Sequence, residues 1–260
     1  MPEVAEKEIK KVDVDVNKVM ADAAQKAVHC PICKNEQVFN HKIHDSTDTM
    51  VTWYHCGCGT VFHTQGLDKA VFDADYVAKW FKMKEIEPRL DYFVRTYFGQ
   101  ISHLTYGRKF LDVGFTIPVM MESLKKKGWI TTGVDIIPND YMTDDFATFE
   151  FQEKFDVIHL GHVLESIGDP IAALKKAFGM LNDMGVLVIT HPCPELLFEL
   201  GPRAFGHFTD YRERHVFLSG AVIKNIASQC GFEEKYYVRN QDRKFAMWND
   251  AHYIYQKRPY

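Results

Sequence analysis

The chain has 260 residues, of which 46% are hydrophobic and 25% charged, and its formal net charge is −4. Such a chain can bury a core of one large domain or two unequal ones, and its composition is that of an ordinary globular protein. The acidic balance excludes a general attraction to nucleic acid, although a local basic face stays open. The absence of a bilayer-spanning apolar run and of a signal peptide predicts a cytoplasmic protein without a membrane segment.

Residues 1–28 mix both charge signs and lack a strong apolar stripe. The apolar side chains that recur at helical spacing here are Val16, Val19, Met20, Ala23 and Ala27. Because this face is weak, a docking helix and a loose arm fit the pattern about equally. We therefore assign the stretch as an N-terminal arm or helix.

Four cysteines in residues 29–66 form two close pairs: Cys30, Cys33, Cys56 and Cys58. Residues 37–43 and 49–54 lie between the pairs and read as two strands joined by a polar turn. Four thiolates held by two hairpins give the tetrahedral arrangement that Zn²⁺ prefers in structural sites. Four reduced, buried cysteines are the simpler alternative, but such paired spacing is rare without a metal. We predict a zinc ribbon with a structural ion.

The second cysteine pair is shorter than the usual Cys-x-x-Cys, so His55 or His63 can replace one sulfur. The other two cysteines, Cys193 and Cys230, have no partner at ligand spacing and are predicted not to bind the ion. A cluster of this kind suits a reducing compartment better than a disulfide framework does.

Residues 67–107 are predicted to be a helical connector. The helical pattern begins at Asp73, and Pro88 suits the start of a second helix. Its apolar positions recur at spacings of three and four and include several aromatic side chains. This stripe is typical of core packing rather than of a ligand site.

Residues 108–260 open with an apolar run at 110–113, which reads as a buried strand of a parallel sheet. Gly114 then permits a tight turn, and Pro118 suits the first position of a helix. A second strand ends in Asp135. This order is half of a nucleotide-binding βαβ unit, with the carboxylate placed to accept ribose hydroxyls.

Later strands are predicted at 155–160, 186–190, 236–238 and 252–255. Asp169 and Pro170 mark the start of a helix between the first two, and Ser219 marks the start of another. Together these elements predict an α/β domain with a seven-stranded sheet.

LDVG followed by a helix and GVD resembles the opening of the Rossmann-like methyltransferases that use S-adenosylmethionine. FDVIHLGHVLESIGDP and the later VLVITHP are similar to that family's next segments, and RHVFLS resembles a segment that returns to its active site. With the cysteine ribbon and FDADY, the resemblance covers about residues 28–260 and points to type 11/23-like methyltransferases with an N-terminal zinc ribbon. It implies a seven-stranded Rossmann-like sheet with helices on both faces.

The resemblance also implies a set of residues that bind S-adenosylmethionine: Asp112, Gly114, Phe115, Asp135, Asp145, Phe146 and Gly161. Two departures accompany it. The family's loop is Gly-x-Gly-x-Gly, whereas only Gly114 is present here, and Ser166 stands where the family often has histidine.

We predict a methyltransferase whose acceptor is a saccharide or another small molecule, with RNA methylation or a non-catalytic binding module as the alternatives. The basic residues that hint at RNA are Lys235, Arg239, Arg243, Lys244, Lys257 and Arg258. A cluster of this size is usually a solvated face.

Proton removal from the acceptor is assigned to a histidine at the carboxyl edge of the sheet. We favour His191, because it directly follows a strand and precedes a proline that keeps its backbone extended. His215 is second on the resemblance, and His162 and Tyr211 are the other titratable groups there. That His191 only caps its strand is an equally good interpretation.

Overall fold

The structure is a computed structural model that describes residues 28–36, 38–44, 49–81, 94, 98–194, 212–239 and 250–259. Within these residues the backbone forms two sheets, one of four strands and one of seven. The predicted arm at residues 1–28 and the helix start at Pro88 lie outside the described residues, apart from the last residue of the arm.

The four-stranded sheet contains β1 (Val38–His44), β2 (Met50–Cys56), β3 (Thr60–Phe62) and β9 (Val216–Leu218), in that order. The first three strands belong to the predicted ribbon, and all pairings are antiparallel. β9 comes from a much later part of the chain. Its pairing with β3 therefore joins the ribbon directly to the larger domain.

The larger sheet has the order β10-β11-β8-β7-β4-β5-β6. Its strands are β4 (Lys109–Val113), β5 (Ile130–Asp135), β6 (Met142–Thr143), β7 (Phe155–Gly161), β8 (Leu181–Pro192), β10 (Phe232–Arg239) and β11 (Asp250–Lys257). The strands from β8 to β6 are parallel, whereas β11 runs antiparallel to both of its neighbours. The predicted seven-stranded α/β sheet is confirmed.

The helices are α1 (Ala74–Phe81), α2 (Phe98–Ile101), α3 (Val119–Lys125), α4 (Pro170–Met180) and α5 (Gly220–Gln229), and Lys69–Val71 form a 3₁₀ turn. Asp169 caps α4 by accepting hydrogen bonds of 3.0 Å from the backbone of Ile171 and Ala172. Ser219 caps α5 in the same way. No helix in these ranges combines the length and apolar character needed to cross a bilayer.

Alternation along the strands divides the core between the two faces of the sheet. Leu111 and Val113 face a cluster that includes residues of α4 and α5, whereas Phe110 faces a second cluster with α2 and α3. The predicted placement of helices on both faces is therefore confirmed. Most strands are longer than predicted, and β8 begins at Leu181, five residues before the predicted start at residue 186.

Candidate functional site at the carboxyl edge of the sheet

β4, β5, β7 and β8 all end at one edge of the sheet, where ligands of open α/β sheets bind. At the end of β4 the backbone turns at Gly114 (φ +68°), and Thr116 also has a positive φ, of +51°. A Cβ built on Gly114 would lie 2.7 Å from Cγ2 of Val163, so the turn has no space for a side chain. The surviving glycine is thus required both by backbone conformation and by packing.

Asp135 ends β5 beside this loop and is 6% exposed. Its Oδ2 accepts a 2.8 Å hydrogen bond from the backbone of Thr116, and its Oδ1 accepts one of 3.0 Å from Ile137. Burial raises the pKa of the carboxyl group, although the backbone hydrogen bonds act against this. Each carboxylate oxygen has a second lone pair, so the group can still accept two ribose hydroxyls.

Phe115 is buried, and its ring packs over Gly133 of β5. The centroids of the Phe115 and Tyr141 rings are 5.5 Å apart. Asp145 accepts a hydrogen bond from Lys69 at 2.6 Å and another from the backbone of Ala147. Burial opposes ionisation of Asp145, but Lys69 holds its pKa below the ordinary value. Phe146 is buried next to it. These residues lie around the ends of β4, β5 and β6, where the resemblance places the cofactor.

Asp112 and Gly161 occupy the two central strands just inside the edge. Asp112 is 3% exposed, and its Oδ1 lies 2.8 Å from Nδ1 of His159. Burial raises the pKa of Asp112. Neither residue was predicted to meet a histidine within the sheet.

A buried carboxylate, Glu165, lies between the histidines at the edge. It accepts hydrogen bonds from Nδ1 of His162 at 3.0 Å and from Nδ1 of His191 at 3.1 Å, and Nε of Arg214 is 3.8 Å away. Burial opposes its ionisation, but the two histidines hold its pKa well below the usual range. Glu165 is therefore an anion that orients both imidazoles.

His191 is fully buried, and both of its ring nitrogens have protein partners. While Nδ1 donates to Glu165, Nε2 accepts a hydrogen bond of 2.9 Å from the backbone of Leu218. This pattern fixes a neutral imidazole that ties β8 to β9. The geometry favours the interpretation in which His191 fixes the end of its strand over a role as the base.

The segment that follows residue 212 packs against the same edge. The backbone of His215 donates to the carbonyl of Glu165 at 2.9 Å, and the hydroxyl of Ser166 donates to the carbonyl of Glu213 at 2.7 Å. Among the described residues, no hydrogen-bond partner is found for Nδ1 of His215. Tyr211, the fourth titratable candidate, lies outside the described residues.

The pKa shifts of two histidines at this edge, His162 and His215, predict that the free energy of unfolding is largest near neutral pH. Burial acts to lower the pKa of His162, but Asp250 and Glu165 raise it to about 9. The stability from this cation is complete below the ordinary pKa of about 6.5 and is lost as pH rises through about 9. Burial lowers the pKa of His215 to about 4, so the stability from its neutral form is lost as pH falls from about 6.5 to 4.

Urea unfolding at acidic, neutral and alkaline pH measures this profile. Asparagine tolerates the φ of +56° at position 162, so His162→Asn is a suitable variant. We expect its free energy of unfolding to decline much less at alkaline pH than that of the unmodified protein. An alkaline slope equal to that of the unmodified protein would contradict the assignment.

The four ribbon cysteines lie together, with all sulfur atoms within 4.8 Å of one another. Sγ of Cys30 is 3.7 Å from that of Cys58, and Sγ of Cys33 is 3.4 Å from that of Cys56. Four sulfurs around one Zn²⁺ at 2.3 Å lie roughly 3.8 Å apart, so the donor set fits a tetrahedral zinc ion. His63 instead bonds the carbonyl of Arg214 through Nε2 at 2.8 Å.

The basic residues near the C-terminus do not form one exposed face in the described part of the chain. Lys257 is buried, and its Nζ donates to the carbonyl of Leu181 at 3.0 Å. Lys235 lies 3.1 Å from a carboxylate oxygen of Glu233. Arg243 and Lys244 lie outside the described residues.

Polar side chains that were not predicted as site residues lie inside the sheet, above all His159, Thr190 and His252. One signal was present: His159 interrupts the apolar strand FDVIHLG at a position that faces the core. A polar side chain at such a position needs a hydrogen-bonding partner. The partners are far away in the chain, so the pattern alone does not identify them.

Curated proteins that this chain resembles in sequence include two O-methyltransferases. The ubiquinone biosynthesis O-methyltransferase of Haemophilus ducreyi is 26% identical in an alignment of 107 residues that covers 33% of this chain and 45% of that protein. The protein of the same name from Actinobacillus pleuropneumoniae serotype 5b is 28% identical in an alignment of 113 residues that covers 35% of this chain and 48% of that protein. The matched segment thus spans about half the length of these relatives.

Solved structures show the same fold. The magnesium protoporphyrin IX methyltransferase of Synechocystis, with bound S-adenosylhomocysteine, aligns with a TM-score of 0.51 and 16% identity over 66% of this chain and 83% of that chain. An S-adenosylmethionine-dependent methyltransferase of Clostridium acetobutylicum aligns with a TM-score of 0.53 and 13% identity, over 71% and 98%. A family model described as a methyltransferase domain matches residues 86–235, more than half of the chain. The resemblance seen in the sequence is therefore confirmed, and the chain belongs to the methyltransferase domain family.

Proposed function

We propose that the protein transfers the methyl group of S-adenosylmethionine to a hydroxyl oxygen of a small molecule. The observation that carries this proposal is the buried Asp135 carboxylate, which lies beside the Gly114 turn at the carboxyl edge of a methyltransferase sheet. Membership of the family supports methyl transfer, and the curated relatives, which are O-methyltransferases, support an oxygen acceptor.

The proposed cofactor site uses the residues around this edge. Asp135 would accept ribose hydroxyls, the backbone of Gly114 and Phe115 would approach the ligand, and Asp145 with Phe146 would hold the adenine. Asp112 and Gly161 lie behind them in the central strands. When bound, S-adenosylmethionine supplies a methyl carbon made electrophilic by its sulfonium. The protein's contribution is to orient the acceptor and to remove its proton.

A saccharide or a phenol is the acceptor class we propose, because both offer a hydroxyl group. The buried or paired state of Lys257 and Lys235 favours a small molecule over RNA. The rival is a non-catalytic module, which Thr116 and Ser166 suggest by departing from the family's pattern. However, Thr116 takes the positive φ at which a glycine would be expected and donates to Asp135, so the loop keeps its turn.

A two-step experiment tests this function. Isothermal titration with S-adenosylmethionine and S-adenosylhomocysteine should show binding of both, because the proposed site contacts parts that the two share. Transfer of a labelled methyl group to panels of saccharides, phenols and RNA should then label a small hydroxyl compound. Absence of binding would leave the non-catalytic module, and label found in RNA alone would replace the small acceptor.

We also propose that the ribbon holds one structural Zn²⁺ on Cys30, Cys33, Cys56 and Cys58. The sulfur separations support this proposal, and so does the set of four thiols, which leaves no ligand position for a substrate. Among these thiols, burial acts to raise the pKa of Cys33, but hydrogen bonds from Asn35 and the neighbouring thiols lower it to about 7. Burial instead raises the pKa of Cys56 to about 12 and also raises that of Cys58, so binding of a metal would release protons from these thiols.

A further inference from the structure

One lysine that precedes the large sheet in the chain contacts the acid that we propose for the adenine. Nζ of Lys69 donates a hydrogen bond of 2.6 Å to Oδ2 of Asp145. Lys69 lies in the 3₁₀ turn that follows the ribbon, whereas Asp145 lies two residues after the end of β6. The side chain of Lys69 is 63% exposed and that of Asp145 is 29% exposed. The contact therefore joins a surface cation to a partly shielded carboxylate.

The position of Asp145 relative to Asp135 suits the two parts of one nucleoside. Asp135 pairs with Thr143 across β5 and β6, and the backbone of Asp144 donates to the carbonyl of Asp135 at 2.9 Å. The two acids therefore follow neighbouring parallel strands at the edge where ligands of such sheets bind. Because ribose and adenine are joined directly, a carboxylate for the ribose and a second one a strand away match both parts.

The carboxylate of Asp145 is held at both of its oxygens. Oδ1 accepts a hydrogen bond of 2.9 Å from the backbone of Ala147, and Oδ2 accepts the one from Lys69. A carboxylate has about four lone-pair positions, and these contacts occupy two of them among the described residues. Burial acts to raise the pKa of Asp145, but Lys69 and Ala147 lower it, so the group is an anion at neutral pH. An anion of this kind accepts from an amino group and cannot donate.

The backbone that carries Lys69 is fixed by its own hydrogen bonds. Oδ1 of Asp68 accepts from the backbone of Ala70 at 3.0 Å, which caps the 3₁₀ turn. The backbone of Asp68 in turn donates to the carbonyl of Arg212 at 3.0 Å. The lysine therefore extends to Asp145 from a turn that is tied to the segment beside the proposed acceptor site.

A second lysine near this loop, Lys176 of α4, has a different task. Its Nζ donates to the carbonyls of Ala147, at 3.4 Å, and of Phe149, and it lies 5.5 Å from the ring centroid of Phe146. Lys176 therefore supports the backbone of the loop. Within the described part of the chain, Lys69 is the cation that donates to the carboxylate of Asp145.

We propose that Lys69 is a positioning residue of the cofactor site, which holds the Asp145 carboxylate in the orientation that accepts the adenine amino group and so contributes to the selection of adenine. This inference rests on the proposed binding of S-adenosylmethionine. An exposed ion pair contributes little to the free energy of unfolding. A positioning role for Lys69 is therefore visible in the selectivity for the base and not in the stability of the protein.

Two ligands that differ only at the base measure this selectivity without any acceptor. One is S-adenosylhomocysteine, and the other is its 6-deamino analogue, which has hydrogen in place of the exocyclic amino group. By isothermal titration, the unmodified protein should bind S-adenosylhomocysteine roughly 10- to 100-fold more tightly, the range for one hydrogen bond to a charged group.

Variants of Lys69 then test its part in the selectivity. Lys69→Met should bind S-adenosylhomocysteine about 2- to 10-fold more weakly, because the ligand must then immobilise the Asp145 side chain itself. Its affinity for the 6-deamino analogue should be unchanged. Lys69→Arg keeps a cation that donates to a carboxylate and should retain the selectivity. Lys109→Met is the matched control, because Lys109 at the start of β4 likewise forms an exposed ion pair, of 2.8 Å with Glu153, and both affinities should stay the same.

A double substitution shows whether Lys69 acts through Asp145. Asp145→Ala should lose the selectivity, and addition of Lys69→Met to it should change neither affinity further. A further loss of affinity for S-adenosylhomocysteine in the double variant would overturn the role of Lys69 as a positioning residue for Asp145. Thermal unfolding checks that each variant is folded.

The outcomes separate this inference from the proposed function. Equal affinity of the unmodified protein for the two ligands, or full selectivity in folded Lys69→Met, would overturn the inference and leave the proposed function intact. Binding of neither ligand by the unmodified protein would refute the proposed function, and the role of Lys69 with it.

Discussion

Asp135→Ala is expected to weaken binding of S-adenosylmethionine by roughly 100-fold or more. A carboxylate makes charge-assisted hydrogen bonds to ribose hydroxyls that contribute about 1.5–3 kcal/mol each, and about 1.4 kcal/mol corresponds to a factor of ten. The substitution also removes the hydrogen bond that Oδ2 of Asp135 accepts from the backbone of Thr116. Loss of this support for the loop should weaken binding further. Isothermal titration measures the change in Kd.

Two further variants make this result specific. Asp135→Asn keeps the shape and one acceptor oxygen, so it should bind less tightly than the unmodified protein but more tightly than Asp135→Ala. Asp140→Asn removes an exposed carboxylate from the same loop region and should bind normally. Thermal unfolding checks that each variant is folded. An unchanged Kd in folded Asp135→Ala would mean that the cofactor binds elsewhere or is a different molecule.

The same site predicts how affinity depends on pH. Burial raises the pKa of Asp135, so its carboxylate is protonated at a higher pH than that of an exposed aspartate. A protonated carboxyl group loses its charge-assisted bonds. Affinity should therefore decline on acidification from a pH above the ordinary aspartate pKa of about 3.9, and Asp135→Asn should lack this decline.

The elements of the large sheet could be predicted because their signals are local. Gly114 and Asp135 mark the ends of two strands by chemistry that is readable in the sequence itself. Asp169 followed by Pro170 likewise places the start of α4, since a capping carboxylate and a proline both fit the first turn of a helix. Strand ends were less accurate, because pairing with neighbours extends β8 and β10 beyond their apolar runs.

The pairing of β3 with β9 could not be predicted from the sequence. Both strands have three residues, too few to show a period, and Thr60 pairs with Leu218 across most of the chain. The site histidines were hard to rank for the same reason. Whether His191 is a base depends on the backbone of Leu218, and His252 meets Thr190 only through a hydrogen bond between strands that are far apart in sequence.

Removal of the proposed Zn²⁺ from the ribbon is expected to unfold β1–β3 and to loosen the segment that carries His215. Structural zinc contributes an apparent binding free energy of about 10–16 kcal/mol at neutral pH, which matches or exceeds the whole stability of an ordinary domain. β3 pairs with β9, and the backbone of His63 donates to the carbonyl of His215 at 3.1 Å. Loss of the ribbon therefore removes the outer partner of the segment that faces the proposed acceptor site.

Cys56→Ser tests this, with Cys230→Ser as the matched control, because Cys230 lies outside the sulfur cluster. Elemental analysis should find one zinc per chain in the unmodified protein and in the control, and less in Cys56→Ser. Hydrogen exchange should become faster in β3 and β9 of that variant, while β4 and β7, whose backbones pair with strands of the large sheet, keep their protection. Protein that contains no metal when purified natively and after zinc supplementation would refute the site. Zinc loss with β9 still protected would show instead that the 212–219 segment is held by Glu165 and His191 alone.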